Sequence, residues 1–302
     1  MIANKSNLVA AERGFRTVFL NRLKNATGMR HPQMCMRMPS NAAVEEYDWL
    51  SDTKGMRELV GEAQVQGLRV VNWTVRNKEW EETVEVKEAD IERDKLGLYN
   101  TRFEMMADNA AIHPDELLAT TLKAGFTTPD WTGKHFFYGG ADKYYPGTNK
   151  GIKNKVSGAL TDEKFETARQ YLREMKNAAG KSLNLGTDMV LVVAPKNETT
   201  ALEILQAERT SNGATNVNKG TARLDVWPQL NAAGADDYWF LYDAGASMKP
   251  FVFQEEKATS LSMVTDPEDS YVMKTHRYPA QMYGRYNVGL LLPQLIVGSN
   301  GS

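Results

Sequence analysis

Near the start of the chain Leu8, Phe15, Phe19 and Leu23 recur at spacings of seven, four and four, which lines one side of a helix and leaves polar and basic residues around the rest. This segment runs out at His31-Pro32 and Pro39-Ser40. Leu68, Val70, Val71, Trp73 and Val75 then mark a β-rich stretch, and Trp80, Glu82, Val84 and Val86 share one face of a further strand. Between Trp49 and Gly67 the sequence is polar and punctuated by glycine, so the pattern predicts a long hairpin with an elaborated tip. Tyr99, Phe103, Met106 and Ala110 fall at i, i+4, i+7 and i+11, and Leu117, Leu118 and Leu122 resume the stripe until Gly125. A long helix is expected there, with Pro114 kinking it or restarting it.

The second half alternates between the two periodicities. Residues 127–160 combine Gly, Pro, Thr and Asn with Trp131, Phe136, Phe137, Tyr138, Tyr144 and Tyr145, a loop long enough to be an interface or a functional segment. An α/β unit follows over 161–230. Thr161 is its N-cap, Phe165, Ala168, Leu172, Met175 and Ala179 run along a helix that Gly180 ends, and 189–194 reads as a buried strand that Pro195 breaks. Ala201, Leu202 and Leu205 start another helix. The last third reads as short strands at 238–242, 251–253, 261–264, 271–273 and 285–297, forming a twisted sheet against the long helix. No internal repeat is visible.

Charge changes this picture more than composition does. The 302 residues are 42% apolar and 25% charged, the profile of a globular protein of about two domains. The net charge of −2 excludes a wholly basic DNA-coating protein. It is unevenly spread, however: residues 1–40 hold seven basic side chains against Glu12 alone, a local +6 that leaves −8 on the other 262. A transit peptide and a basic surface helix share that look. The sharper reading is an amphipathic arm that reaches a neighbouring subunit, a scaffold or an acidic polymer, with Arg13, Phe15, Arg16 and Phe19 at the contact.

Catalytic and ligand signatures are absent from the pattern. Cys35 is the only cysteine, which rules out an intramolecular disulfide framework and a multi-cysteine zinc site. The carboxylates between 79 and 95 lack calcium-loop spacing and read as a solvated or intersubunit charged face. Gly180-Lys181-Ser182 has the tail of a phosphate loop without its earlier glycine, and it follows a helix where such a loop precedes one. His113 has no nucleophile or metal partner in sequence and reads as a capping or packed histidine. Paired carboxylates such as Glu79 and Glu82 leave a carboxylate-based hydrolase as the competing class. No apolar run approaches the roughly 20 residues of a membrane helix, so no membrane partner, cofactor or metal is expected and the chain reads as soluble and intracellular.

The order of these elements, together with a set of short motifs, resembles the major head (capsid) proteins of Mu-like tailed phages, a family with the Hong Kong ninety-seven capsid fold. The motifs are Tyr47-x-Trp49-Leu50, Met56-Arg57-Glu58-Leu59-Val60-Gly61, Asn77-Lys78-x-Trp80-Glu81, Ile91-Glu92-Arg93-Asp94-x-Leu96-Gly97-x-Tyr99, Pro114-Asp115-Glu116-Leu117, Gly125-Phe126 and Gly133-x-x-Phe136-Phe137. They run in order from about 40 to 140; beyond 150 the resemblance rests on element order.

The resemblance implies an α+β tailed-phage major capsid fold and a structural role, not an enzyme. Residues 1–40 would be the N-terminal arm, 41–76 the extended hairpin (E-loop), 77–149 with 236–302 the peripheral domain with its long spine helix, and 150–235 the α/β axial domain. Trp49, Lys54, Met56, Arg57, Glu58 and Leu59 would make the hairpin's intersubunit contact, and Tyr99, Phe103, Met106, Leu118 and Leu122 the core face of the spine. Copies would form pentamers and hexamers of an icosahedral head, assembled in the bacterial host cytoplasm around double-stranded DNA that they approach non-specifically. A scaffold protein, a portal and a decoration protein would be partners. A prophage-derived nanocompartment shell is the alternative on the same fold.

Overall fold

The computed structural model describes residues 4–48, 72–93, 95–145, 151–210 and 212–302. The chain opens with α1 (Lys5–Lys24), capped by the Asn4 side chain, which accepts the Asn7 N–H at 2.9 Å. A single turn, α2 (His31–Met34), leads into β1 (Cys35–Pro39), and the hairpin strands β2 (Val44–Asp48) and β3 (Asn72–Arg76) follow. Next come β4 (Lys78–Lys87), whose Trp80, Glu82, Val84 and Val86 face inward, α3 (Glu88–Glu92) and α4 (Gly97–Ala124). The second half comprises α5 (Asp162–Glu174), β5 (Met189–Val193), α6 (Glu198–Gln206), β6 (Arg223–Val226), α7 (Pro228–Ala232), β7 (Trp239–Asp243), β8 (Phe251–Met263), α8 (Ser270–Thr275), β9 (Arg277–Leu290) and β10 (Ile296–Ser299).

Two four-stranded sheets organise these elements. One has the order β1-β8-β9-β4, with β1 parallel to β8 and the other pairs antiparallel. The other has the order β10-β7-β5-β6, in which the β5–α6–β6 crossover supplies the parallel pair. Helix α4, about 42 Å long at 1.5 Å per residue, ties the two together. Its first half buries Tyr99, Phe103, Met106 and Ala110 with Phe15, Phe19, Val86, Leu261 and Tyr278. Its second half buries Leu118, Ala119 and Leu122 with Trp227, Leu230, Phe240 and Phe251. Of the two outcomes expected at Pro114, a kink or a restart, the helix shows no restart: it continues through the proline.

Four local expectations are corrected. The helix after Thr161 ends at Glu174 and not at Gly180, because the Asn177 side chain accepts the N–H groups of Ala179 and Lys181 and turns the chain into a tight hairpin. Gly180, at φ 80°, sits in that turn, so Gly180-Lys181-Ser182 does not end a helix. Residues 270–275 are a helix and not a strand: Asp269 accepts the N–H groups of Tyr271 and Val272, and the left-handed His276 closes it. The two runs at 251–253 and 261–264 belong to one strand that continues through bulges. The run at 285–297 is shared instead between β9 and β10, with a turn at Pro293–Leu295 between them.

The N-terminal segment is not a free arm. Leu8, Ala11, Phe15 and Phe19 are buried, the Phe15 ring lies 4.5 Å from that of Phe103, and Arg22 pairs with Asp108 at 2.7 Å. Beyond α1, β1 adds an edge strand to β8. Nor do the strands divide at residue 235, because β7 and β10, expected with the peripheral domain, join β5 and β6 in one sheet. A local pattern shows that a strand exists; its partner is chosen by contacts far away in sequence.

Candidate functional site

The hairpin that the sequence singled out is described at its base. β2 and β3 pair antiparallel from Val44 opposite Arg76 to Asp48 opposite Asn72. Trp49, Lys54, Met56, Arg57, Glu58 and Leu59 lie outside the described residues. The base is fastened to the body on both sides. Gln254 donates its Nε2 to the Val75 carbonyl at 3.2 Å, and Asn287 donates its Nδ2 to that of Arg76 at 2.8 Å. Asn77 donates its Nδ2 to Ser40 Oγ and to the Ala42 carbonyl. Ser40 in turn donates to Glu45, and this bond, with the Asn41 N–H, holds the Glu45 carboxyl below its usual range. Val75 is 4% exposed and lies over Gly289, where a Cβ would come within 2.4 Å of Val75 Cγ2. Glycine at 289 is what lets β3 sit so close to the sheet.

On α1 the expected contact residues separate. Arg13 and Arg16 are exposed, whereas Phe15 and Phe19 are buried within their own subunit against α4. Those two are therefore corrected from partner contacts to core residues, since the aromatic stripe that makes α1 amphipathic is already covered. Of the spine residues, Tyr99, Phe103, Met106, Leu118 and Leu122 are all buried. On the opposite face of α4 Leu98, Met105 and Ile112 are exposed, a row that the reading of the core stripe passed over although its seven-residue spacing is plain in the sequence.

An open cavity of about 380 Å³ lies between α4 and the β4–β9 edge, lined by Trp80, Glu82, Asn109, His113, Glu116 and Tyr286 among others. His113 Nδ1 is 2.9 Å from the Tyr286 hydroxyl, and its ring meets Trp80 edge-on at 4.4 Å. Burial pushes its pKa below the ordinary value, against a smaller opposing effect of Glu116. It is a packed histidine. Glu82 accepts from Asn109 at 3.1 Å. Glu79 is three residues away on the same strand, hence on the other face, so the pair on which a hydrolase would rest does not converge. Other carboxylates of the 79–95 run are engaged within the subunit: Glu85 with Arg277 and Tyr271, and Glu88 with His276.

The aromatic loop after α4 is core, not surface, where it counts. Phe136 and Phe137 are buried, and the Phe137 ring stacks 4.6 Å from Phe126. Beneath them Lys143, 0% exposed, pairs with Asp130 at 2.7 Å and donates to the carbonyls of His135 and Phe136. Asn154 donates to the same Phe136 carbonyl and to that of Pro293. Nothing in the sequence pattern marks this polar knot, because its members come together only through tertiary contacts. Among the described residues no group of three or more His, Cys, Asp or Glu is placed to hold a metal ion, and no helix is long and apolar enough to cross a membrane.

Comparison with known proteins accounts for nearly the whole chain. The family described as "Mu-like prophage major head subunit gpT" matches residues 8–157, 148–230 and 229–302. A relative from Escherichia phage Mu, "Major capsid protein", is 29% identical over 184 residues, covering 59% of this chain and 58% of that protein. The "Mu-like prophage FluMu major head subunit" of Haemophilus influenzae is 24% identical over 278 residues, covering 91% and 67%. The chain thus spans little more than half of the first relative and two thirds of the second. Among solved structures, a chain from the procapsid of bacteriophage JBD30 superposes with a TM-score of 0.60 at 25% identity, covering 96% of this chain and 74% of that one. The virus-like particle of Pyrococcus furiosus shares the fold alone, at a TM-score of 0.52 and 10% identity.

Proposed function

Since this chain belongs to the Mu-like prophage major head subunit family, a family of structural and not catalytic proteins, we propose that it is a shell subunit that assembles with its own copies into the pentamers and hexamers of an icosahedral phage head around double-stranded DNA. Its α+β fold is that of tailed-phage capsid proteins. The observation that carries the proposal is the family match, which spans the hairpin, the spine helix and both sheets. The virion is its place, and a scaffold, a portal and a decoration protein are its partners; the JBD30 capsid is one decorated with minor capsid protein trimers.

The physical features agree with such a role. The β2–β3 pair is anchored to the body through Val75, Asn77, Gln254 and Asn287, and the sequence between the two strands carries Met56, Leu59 and Val60, the apolar residues that the proposal assigns to contact with another copy. Of the basic residues in 1–40, Arg22, Arg30 and Arg37 pair within the subunit with Asp108, Asp225 and Glu255, and the exposed Arg13 and Arg16 are left to offer charge to an acidic face of another copy.

Size-exclusion chromatography of the purified protein, with negative-stain electron microscopy of what elutes early, tests the reading. Capsomers, tubes or polyhedral shells are expected. Deletion of residues 51–66, or Arg57→Glu, leaves a folded subunit that does not form shells; intact particles from the deletion variant would refute the hairpin's role. A clean monomer at high concentration, with crowding agents, would refute unaided assembly. Particles filled with enzyme and not DNA would move the chain to the nanocompartment reading.

A further inference from the structure

The cavity between α4 and the β4–β9 edge has walls of two kinds. At about 380 Å³ it falls in the range of small-ligand pockets, about 300–1,000 Å³. One wall is aromatic and fixed in place. The Trp80 indole donates its Nε1 to the Tyr286 carbonyl at 2.9 Å, and the His113 ring, edge-on to it, is held by the Tyr286 hydroxyl. Gly284 also lines the cavity; a Cβ there would come within 2.7 Å of Thr259 Oγ1 and 2.9 Å of the Tyr286 ring, so the lack of a side chain leaves this space open.

The other wall is anionic. Of its three carboxylates, that of Glu81 is taken by Thr83 and Gln281, but Glu82 accepts only from Asn109, at 3.1 Å, and the exposed Glu116 makes no ion pair among the described residues. A carboxylate has about four lone-pair positions, so most of those on Glu82 and Glu116 stay open. No lysine or arginine lines the cavity. Burial holds His113 below its ordinary value, so at pH 7 its ring is neutral and does not offset the two carboxylates. Negative charge beside an aromatic face is a setting for an organic cation. Lys78, which is outside the lining, already holds its Nζ 5.9 Å from the Trp80 ring centroid, at the outer limit of such a contact. A guanidinium fits the two walls better than an ammonium, because it is planar, stacks on aromatic rings and presents a fork of N–H donors to a carboxylate.

We propose that this cavity binds a guanidinium group, set against the Trp80 indole and held by Glu82 and Glu116. Its source is either an arginine of another copy, of which Arg13 and Arg16 are exposed, or a free guanidine compound. The site stands apart from the assembly reading, and only the first source rests on it. Ligand-observed NMR titration of the full chain with n-butylguanidinium, and with n-butylurea as the neutral isostere, tests the site. Butylguanidinium is expected to bind about tenfold more tightly than butylurea, and Glu82→Gln and Glu116→Gln each to weaken it about fivefold without changing butylurea. Glu79→Gln, on the other face of β4, is expected to bind as the unaltered chain does. Equal binding of the two compounds overturns the site, as does binding that survives both Glu82→Gln and Glu116→Gln or that falls equally in Glu79→Gln. Assembled particles then separate the sources: particles that no longer bind butylguanidinium have the cavity filled by a neighbouring copy, and particles that bind it as the unassembled chain does assign a free ligand, either result supporting the site. If no particles form, the assembly reading fails by microscopy while the titration of soluble protein still decides the site.

Discussion

Replacing Gly289 by alanine tests whether the hairpin is held where the structure places it. Gly289 does not use a left-handed backbone, so the substitution probes space alone. The added Cβ lies 2.4 Å from Val75 Cγ2 and 3.3 Å from Val252 Cγ1. Carbon atoms rest at about 3.5–4.0 Å, so the first contact is short by more than about 1 Å. Neither valine can yield easily: both are buried, and a β-branched side chain has few alternative rotamers. The strand carrying Val75 must shift, at an overpacking cost of about 1–3 kcal/mol. Val75→Ala alone removes two methyl groups and leaves a cavity, a loss of about 2 kcal/mol. In the double variant the new methyl group occupies part of the vacated space, so its loss is smaller than the sum of the two single losses, with a coupling of about 1 kcal/mol or more. Urea denaturation of the four proteins measures this, and particle yield by microscopy reports whether a displaced hairpin base also hinders assembly. Additive losses, or an unchanged midpoint for Gly289→Ala, would show that Val75 is not seated on Gly289.

Two further outcomes follow from buried polar groups. Lys143→Met strands the Asp130 carboxylate in the interior and should cost about 3–5 kcal/mol by denaturation; a loss under about 1 kcal/mol, the value of an exposed pair, would mean the knot is open to water. His113 is held below its ordinary value of 6.5 by burial, so between the two values the unfolded chain binds more protons than the folded one. Stability should therefore fall as pH drops below about 6.5 and level off once the folded form also takes the proton. Melting temperatures across that range should lose this slope in His113→Gln, and an unchanged slope would assign it elsewhere.

Elements with strong periodicity were legible in the amino-acid order alone. The stripe of Tyr99, Phe103 and Met106 marks one face of a helix whatever it packs on, and the alternation through Trp80, Glu82, Val84 and Val86 marks a strand, because each period follows from backbone geometry. Capping chemistry at Thr161 is equally local. The family resemblance was legible too, since its motifs lie within contiguous segments between 40 and 140. Local competition defeated the reading at Asn177 and Asp269, where a short side chain bonding to nearby N–H groups outweighs the apolar pattern around it.

What only the tertiary structure decided is partnership. The sequence marks Phe15 and Phe19 as an apolar face, but burial against Phe103 and not against another copy is set by how α1 returns to α4. The sheet that unites β5 and β6 with β7 and β10 joins segments more than a hundred residues apart. The seat of Val75 on Gly289 joins β3 to β9, 214 residues apart in the sequence, and the ion pair of Lys143 with Asp130 is buried only because the loop that carries both packs into the core. Periodicity is a property of neighbours along the chain and is written in it; burial is a property of neighbours in space, and the free energy that selects them belongs to the whole packed arrangement.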